Sequence, residues 1–235
     1  YRSDDEGMTF TKATYWSLGS SQHGAGSFQD RYDNSTVYVH ADLRKINSIN
    51  GVFYMGTDGT MAKSTDGGIT WVDLMRDGVG VRENYKLGVS QSNNGIAISG
   101  SQDNGTSIYK NTGWIEFYGA DGMEGLVHPL NDDWLIGSLQ YGGRRRTKDG
   151  GYSQGAVSPS GSSGGSWQAP IAYDPNNHMT IYDFRDGVRK SDDFGSSHIL
   201  IGSPSTFLSN AIVNAEIAQN DSQIMVITNY SQIEK

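Results

Sequence analysis

Short apolar runs recur along the chain in pairs, and a polar turn separates the two members of each pair. Runs such as residues 87–90 and 96–100 are too short for helices and are rich in branched side chains, so we predict that they form strands. No long window shows a 3.6-residue period, and the pattern therefore predicts no helix. The other predicted strands are residues 37–42, 52–56, 125–129, 134–138, 170–173, 179–182, 215–218 and 224–227.

A turn motif with the spacing Ser-x-Asp-x-Gly-x-Thr-Trp also recurs along the chain. Its hydroxyl and carboxylate groups are expected to hydrogen-bond nearby backbone N–H groups, and its Gly to take a positive φ. The aromatic residue is expected to start the next strand and bury its ring under the turn. Each copy should join two antiparallel strands. The turn residues are Ser3, Asp5, Gly7 and Phe10; Ser64, Asp66, Gly68 and Trp71; Thr147, Asp149 and Gly151; and Ser191, Asp193 and Gly195.

These turns divide the chain into repeats. A shortened version, residues 108–114, lies in the longest interval, so that successive turns are 61, 47, 36 and 44 residues apart. Spacings near 40–50 residues are typical of a four-stranded propeller blade. Two Gly/Ser-rich segments, residues 17–27 and 158–166, are predicted to be surface loops. A basic residue precedes each turn, at Arg2, Lys63, Lys110, Arg146 and Lys190. Lys235 stands at the position where the basic residue of the next repeat is expected.

The sequence thus predicts an all-β chain, a β-propeller of four-stranded antiparallel blades with about five blade equivalents. We treat residues 1–235 as a single propeller domain or a fragment of one. An arc of a larger ring is the preferred interpretation, and a closed five-bladed ring is the alternative. Since the chain begins at Tyr1 and not at Met, we expect it to come from a longer parent chain with further blades or domains.

The turn motif resembles the Asp-box, or bacterial neuraminidase repeat, of sialidases, sortilin-type receptors and xyloglucanase-type glycoside hydrolases. Four further segments, residues 40–44, 56–59, 100–106 and 119–124, resemble in the same order segments of secreted bacterial sialidase-like and glycosyl-hydrolase-like Asp-box proteins. This resemblance covers nearly the whole chain. It implies a propeller fold and an extracellular or cell-surface location in a bacterium.

Composition narrows the classes of partner. The 31 Gly and 13 Tyr with few Pro suit many short strands and tight turns. A net charge of −8 argues against nucleic acid as a partner, and no stretch is apolar enough to insert into a membrane. Without cysteine there is no thiolate metal site, and no EF-hand pattern occurs. We expect no cofactor and no specific metal site, although adventitious calcium at acidic turns remains open.

Polar residues near the strand ends are the candidates for chemistry. Asp103 and Asp121 are the candidate catalytic pair, because glycoside hydrolysis needs two carboxylates about 5–10 Å apart. The competing interpretation is that each Asp caps a turn beside a Gly. The candidate binding residues are His40, Asp42, Asp58 and Gln102, together with Trp16 beside the first long loop.

Two functional hypotheses follow. The first is a non-catalytic binding or scaffold module whose partner, a protein or a polysaccharide, lies on a propeller face. The alternative is a xyloglucanase-like glycoside hydrolase that uses Asp103 and Asp121. Sialidase activity is disfavoured: the chain lacks the Arg-Ile-Pro segment of that family, and residues 144–146 are consecutive arginines whose side chains would alternate on one strand.

Overall fold

The computed structural model describes residues 1–76, 82–111, 113–162, 164–203, 211–230 and 233–234. The chain divides into two compact units, Tyr1–Val81 and Arg82–Lys235. Thr112 of the shortened turn, Ser163 of the second loop and Lys235 lie outside the described residues. In the described part of the chain, no helix is long and apolar enough to cross a membrane.

The first unit holds one four-stranded antiparallel sheet with its strands in chain order. Its hairpin turn at Asn50-Gly51 has positive φ at both residues, 51° and 80°, the conformation of a type I′ turn. The prediction for residues 37–42 was wrong, because Tyr38 makes only an isolated bridge to Tyr15. The strands are β1 (Leu43–Ile49), β2 (Val52–Thr57), β3 (Met61–Ser64) and β4 (Val72–Asp73).

The periodicity missed two helices near the first predicted loop. A 3-10 helix, Ser21–His23, lies inside the loop, and helix α1, Phe28–Asn34, directly follows it. A capping box starts α1, in which the Asp30 backbone N–H donates to Ser27 Oγ at 3.1 Å and the Ser27 N–H donates to Asp30 Oδ2 at 2.9 Å. Two turns of helix are too short to show a hydrophobic period. The local capping signal therefore determines this element.

The second unit holds four antiparallel sheets, and every sheet keeps its strands in chain order. Each strand predicted in this part of the chain is present, with shifts of only a few residues at its ends. A 3-10 helix, Gln140–Gly142, connects the second and third strands of the third sheet. The second sheet contains β5 (Lys86–Val89), β6 (Ile96–Ser101), β7 (Gly105–Lys110) and β8 (Gly113–Tyr118); the third contains β9 (Gly122–His128), β10 (Asn131–Leu139), β11 (Arg144–Thr147) and β12 (Gly155–Ala156). The fourth contains β13 (Ile171–Asp174), β14 (Asn177–Phe184), β15 (Val188–Ser191) and β16 (Ile199–Gly202); the fifth contains β17 (Asn214–Ile217), β18 (Met225–Thr228) and β19 (Ile233–Glu234).

Apolar clusters join neighbouring sheets of the second unit. Ile98 of the second sheet packs with Leu135 of the third, and Ile136 of the third packs with Ile181 of the fourth. A further cluster combines Phe184 with residues of the fifth sheet. Full burial of one such side chain contributes about 1.5–3 kcal/mol. The core of this unit therefore lies between successive sheets.

The four turn motifs share one hydrogen-bond pattern. In the second copy, Ser64 Oγ donates to Asp66 Oδ1 at 2.8 Å and accepts from the Gly68 N–H at 2.9 Å. The Thr70 hydroxyl donates to Asp66 Oδ2 at 2.5 Å. The equivalent atoms are bonded in the same way in the copies that begin at Ser3, Thr147 and Ser191. As predicted, these side chains form the turn themselves.

The aromatic position differs among the copies. Trp71 is buried, and its Nε1 donates to the Gly68 carbonyl at 3.1 Å. Phe10 was expected to be buried in the same way, but it is 63% exposed. The reason is local: the first copy closes a single isolated bridge, Arg2–Thr11, instead of joining two strands of a sheet. Gln154 and His198 occupy this position in the other two copies.

Two of the basic residues that precede a turn, Lys110 and Arg146, contact the turn of the following sheet. Arg146 Nη1 donates to the Phe194 carbonyl at 2.8 Å and to Ser196 Oγ at 2.7 Å. Lys110 likewise lies against Gly150 and 5.6 Å from the Tyr152 ring centroid. In these two repeats, the basic position thus links successive sheets, whereas Lys190 pairs with Asp192 of its own turn at 2.9 Å.

Candidate functional site

One end of the second unit, here called the loop face, consists of residues 82–85, 102–104, 119–121, 140–143, 164–169 and 185–187. In an antiparallel sheet, the start of the first strand and the turn between the second and third strands lie at the same end. Backbone bonds join these loops: the Gln140 N–H donates to the Asp121 carbonyl at 3.2 Å, and the Tyr141 N–H donates to the Trp167 carbonyl at 3.1 Å. The loop face is therefore a continuous hydrogen-bonded surface.

Three aromatic residues and an amide meet on the loop face, and we call them the aromatic cluster: Tyr85, Gln102, Tyr141 and Trp167. The Tyr85 hydroxyl donates to Gln102 Oε1 at 2.6 Å and accepts from Trp167 Nε1 at 3.1 Å. The Tyr141 and Trp167 rings meet edge to face, with centroids 5.3 Å apart. Tyr85 is 38% exposed and Tyr141 56% exposed. The cluster thus presents aromatic surface whose polar atoms are held in fixed directions.

The two candidate catalytic carboxylates lie beside this cluster. The Asp103 backbone N–H donates to Asp121 Oδ1 at 3.0 Å, and Asp103 has a φ of 59° in the β6–β7 turn. The Asp121 carboxylate thus bonds the backbone of the neighbouring β6–β7 turn and holds two loops together. The catalytic role of this pair stays a prediction.

Arg82 fixes the chain at the entrance to the second sheet. Its Nε donates to Ser101 Oγ at 2.6 Å, and its Nη1 donates to Ser107 Oγ at 2.8 Å. Its Nη2 reaches the Asn104 carbonyl at 2.7 Å and the Gly105 carbonyl at 3.0 Å. Because these bonds hold the turn that carries Gln102, the cluster rests on an ordered support.

Glu124 connects the inner strands of three sheets. Its Oε1 lies 3.1 Å from Lys86 Nζ on β5, and its Oε2 accepts from the Ile171 N–H on β13 at 3.3 Å. The Glu124 side chain is 15% exposed and Lys86 is 38% exposed. This pair sets the spacing of the strands from which the loop face rises.

A cavity of about 290 Å³ lies next to Trp167 and is lined by Ser166, Gln168, Val213, Asn214, Asn229 and Tyr230. The side chains of this lining carry amides, hydroxyls and one aromatic ring but no charge. Tyr230 is 85% exposed at its rim. A neutral ligand rich in hydroxyl groups matches this lining, because amides and hydroxyls both donate and accept hydrogen bonds.

A buried ion cluster supports the loops from below. Asp183 is fully buried between Arg144 and Arg185, with contacts of 3.1 Å to Arg144 Nε and 3.0 Å to Arg185 Nε. Burial opposes ionisation of Asp183, but the two guanidinium groups keep its pKa below the ordinary value. Arg144 also donates to the Pro170 carbonyl at 2.8 Å. The cluster therefore fixes the segment that enters β13.

The three consecutive arginines contact three different partners. Arg144 enters the buried ion cluster, Arg145 Nη2 donates to the Tyr118 hydroxyl at 3.0 Å, and Arg146 bonds the turn of the fourth sheet. Their side chains alternate along β11, as expected for one strand. They do not form a common anion grip.

The remaining candidate binding residues, apart from Gln102, belong to the first unit. His40 Nδ1 lies 3.5 Å from Asp58 Oδ1, and Arg44 Nη2 lies 2.8 Å from Asp58 Oδ2. Asp42 is exposed and has a φ of 56°. Trp16 is 64% exposed. His40 and Asp58 are thus neighbours, and their binding role stays a prediction.

The aromatic cluster was only partly visible in the sequence. Gln102 was a candidate, but Tyr85, Tyr141 and Trp167 were not. Tyr85 and Trp167 are 82 residues apart, so no local spacing brings them together. The sequence offers only a weak indication of these three residues: each lies near the end of a predicted strand, beside Gly or a polar residue.

Comparisons with known proteins support the fold. No protein-family model matches the sequence, and no curated protein matches it. An ancestral GH74 enzyme has a similar solved structure, with a TM-score of 0.54 and 16% identity over 79% of this chain. The GH74 xyloglucanase from Xanthomonas campestris matches 67% of the chain, with 13% identity and a TM-score of 0.44. The WD40 β-propeller domain of Doa1 matches 80% of the chain and 60% of its own, with 14% identity and a TM-score of 0.47.

The two GH74 enzymes are much longer than this chain, which spans 27% of the first and 29% of the second. At these identities the likeness concerns the fold alone. Together with the antiparallel sheets, the likeness to the ancestral GH74 enzyme shows that the chain has an all-β fold that forms part of a β-propeller, with five blade-like sheets among the described residues.

Proposed function

We propose that this chain is a non-catalytic binding module of the Asp-box group, and that its loop face binds a polysaccharide. The observation that carries the proposal is the aromatic cluster, in which Trp167, Tyr85 and Gln102 form one chain of hydrogen bonds. Aromatic faces beside a few fixed polar groups are characteristic of ligand sites. A sugar ring offers C–H groups to such a face and hydroxyls to the polar atoms.

The cavity beside Trp167 extends this surface. Its uncharged lining of amides and hydroxyls suits neutral sugar residues. The aromatic cluster and the cavity together would accommodate a segment of polymer and not a single monosaccharide. A protein partner is the alternative, and it would bind through the same exposed aromatic residues.

The proposed location is outside the cell or at the bacterial cell surface. The resemblance of the turn motifs to Asp-box proteins supports it. The four matching sets of turn hydrogen bonds support membership of the Asp-box group.

Affinity electrophoresis tests the proposal. The chain is run through gels that contain xyloglucan, mixed-linkage β-glucan, xylan or mannan, and retardation by at least one of them is expected. Trp167→Ala and Tyr141→Ala should each weaken the affinity about five- to thirtyfold and reduce the retardation accordingly, because each removes a contact face worth about 1–2 kcal/mol. The matched control is Trp114→Ala, which removes a 60% exposed tryptophan on β8 away from the loop face. Equal retardation of all variants would contradict the proposal.

A hydrolase would release reducing ends from the polysaccharide, which a separate assay measures. We expect no release of reducing ends from xyloglucan by the wild-type chain, because the Asp121 carboxylate is bonded to the Asp103 backbone. Hydrolysis that disappears in the Asp103→Asn/Asp121→Asn double variant, with folding retained, would replace the binding proposal by the hydrolase.

A further inference from the structure

A second polar cavity, of about 470 Å³, lies in the second unit between the third and fourth sheets. It shares no residue with the aromatic cluster or the cavity beside Trp167. Its lining residues are Arg146, Ala156, Val157, Ser158, Ser160, Gly195, Ser196, Ser197 and His198. The cavity therefore combines the turn motif of the fourth sheet with the Ser-rich loop that follows β12, and neither feature is used by the proposed function.

The cavity lies at the aromatic position of the turn motif. In the second copy of the motif, Trp71 packs over Gly68, and its Cζ2 atom lies 3.6 Å from the position that a Cβ on Gly68 would occupy. The Trp71 residue is 3% exposed. In the fourth copy, Gly195 and His198 take the places of Gly68 and Trp71, and both line the cavity. The imidazole of His198 is smaller than an indole, so a tryptophan at this position would occupy more of the cavity.

Arg146 gives the cavity a fixed positive charge. Its Nη1 carries both bonds to the turn, at 2.8 Å to the Phe194 carbonyl and 2.7 Å to Ser196 Oγ. Among the contacts within the described residues, none uses its Nε or Nη2, which leaves a pair of donors with the geometry that binds an oxyanion through two hydrogen bonds. Partial burial lowers the pKa of Arg146, but a guanidinium remains charged at neutral pH.

The Asp193 carboxylate, whose charge acts on Arg146, is hydrogen-bonded within its own turn. Asp193 accepts from the Ser191 hydroxyl at 2.8 Å, from the Ser197 N–H at 2.8 Å and from the Ser197 hydroxyl at 2.7 Å. Ser158 Oγ accepts from the Arg144 N–H at 2.8 Å, so its own proton can be donated into the cavity. Burial lowers the pKa of His198, which supports a neutral imidazole at pH 7 with one N–H to donate.

We propose that this cavity binds a sulfate or phosphate group, held by the Arg146 guanidinium and the hydroxyls of Ser158 and Ser160. The site is independent of the polysaccharide proposal, because it uses other residues and another chemistry.

Titration of the ¹⁵N-labelled chain with sodium sulfate, and separately with sodium phosphate, tests the proposal by NMR at constant ionic strength. We expect saturable shifts of the amides of Ser158, Ser160 and residues 196–198. Saturation by either ion supports the site. The ion that binds with the lower dissociation constant indicates whether the site favours a sulfate or a phosphate group. Linear, unsaturable shifts, equal to those caused by sodium chloride, would overturn it.

Two variants make the test specific. His198→Trp fills the cavity with the side chain that the second copy carries, and Ser160→Asp places a negative charge at its exposed rim. Each should weaken binding at least about tenfold. The matched controls are Gln154→Trp, which restores the aromatic residue in the third copy, and Asn220→Asp, which adds a charge in an exposed turn. Since Ser160 lies in an exposed loop, Ser160→Asp remains informative if His198→Trp does not fold, and unchanged affinity in it would overturn the proposal.

Discussion

At the scale of single residues, the buried Asp183 carboxylate is the most consequential charge in the described structure. It lies between Arg144 and Arg185, and both guanidinium groups are nearly inaccessible to water. Ion pairs at this depth add little net stability relative to apolar packing, but removal of one partner is costly because a buried charge remains. The cluster serves the loop face, since Arg144 also bonds the Ala169 and Pro170 carbonyls just after Trp167.

We therefore predict that Asp183→Asn lowers the free energy of unfolding by about 3–5 kcal/mol, because two buried guanidinium groups lose their counterion. Urea unfolding followed by circular dichroism measures the loss. The matched control is Asp133→Asn, whose 3.2 Å pair with Lys110 is 61% exposed on the Asp133 side. That variant should change the same quantity by less than about 1 kcal/mol. Equal losses in both variants would show that burial of the pair is not the cause.

At the scale of elements, the repeated turn is the best predicted feature of the chain. Its hydrogen bonds are local, and each one joins residues within four positions of each other. Sequence spacing therefore contains nearly all the necessary information. The strands of the second unit were predicted for a related reason: residues such as Ile98 and Leu135 are fully buried, so their apolar character reports the packing.

The first sheet shows where this reasoning fails. Every residue of β1 is exposed, so hydrophobicity carries no information about that strand. The Asn50-Gly51 pair was the readable signal, because that dipeptide favours the type I′ turn observed there. The α1 helix depends in the same way on the Ser27–Asp30 capping box and not on a periodic face.

The turn carboxylates predict a specific response to acid. Hydrogen bonds from the Thr9 hydroxyl and N–H and from Ser3 lower the pKa of Asp5 to about 2, and bonds from Ser153 and Thr147 lower that of Asp149 below its ordinary value. A pKa that is lower in the folded state gives stability that is complete above the unfolded value of about 3.9 and is lost as the pH falls through the folded value.

Asp149→Asn should accordingly lower the urea midpoint at pH 7, and the difference from wild type should shrink as the pH falls below about 4. Midpoints at pH 7, 4 and 2.5 give the comparison. Glu83→Gln, a change at an exposed carboxylate outside the turns, serves as the control and should show little difference at any pH. A difference for Asp149→Asn that stays constant down to pH 2.5 would contradict the charge-assisted bonds.

At the scale of the whole molecule, the repeats place polar loops at one end of successive sheets in the second unit. The fold could be predicted from the repeat alone, since a period of about 40–50 residues is typical of propeller blades. The aromatic cluster could not, because Trp167 precedes the fourth sheet and Tyr85 precedes the second. Only the packing of whole sheets brings such loops together, and a linear pattern does not encode it.

The binding proposal belongs to this scale, because the loop face draws on three sheets and the cavity beside Trp167 adds a fourth. Tyr85 and Gln102 belong to the second sheet, Asp121 and Tyr141 flank strands of the third, Trp167 leads into the fourth, and the cavity beside Trp167 adds residues of the fifth. A polymer that crosses these loops would contact each sheet once or twice, so that affinity accumulates from several modest contacts.

The most direct test follows the tryptophan indole N–H signals of the ¹⁵N-labelled chain during titration with xyloglucan and cello-oligosaccharides. The chain has 5 tryptophans, and the Trp167 indole N–H donates to Tyr85 within the aromatic cluster, whereas that of buried Trp71 donates to its own turn. We predict that at least one oligosaccharide shifts the Trp167 signal saturably and leaves the Trp71 signal unchanged. A Trp167 signal that no oligosaccharide moves, or that moves no more than the Trp71 signal, would contradict polysaccharide binding at the loop face.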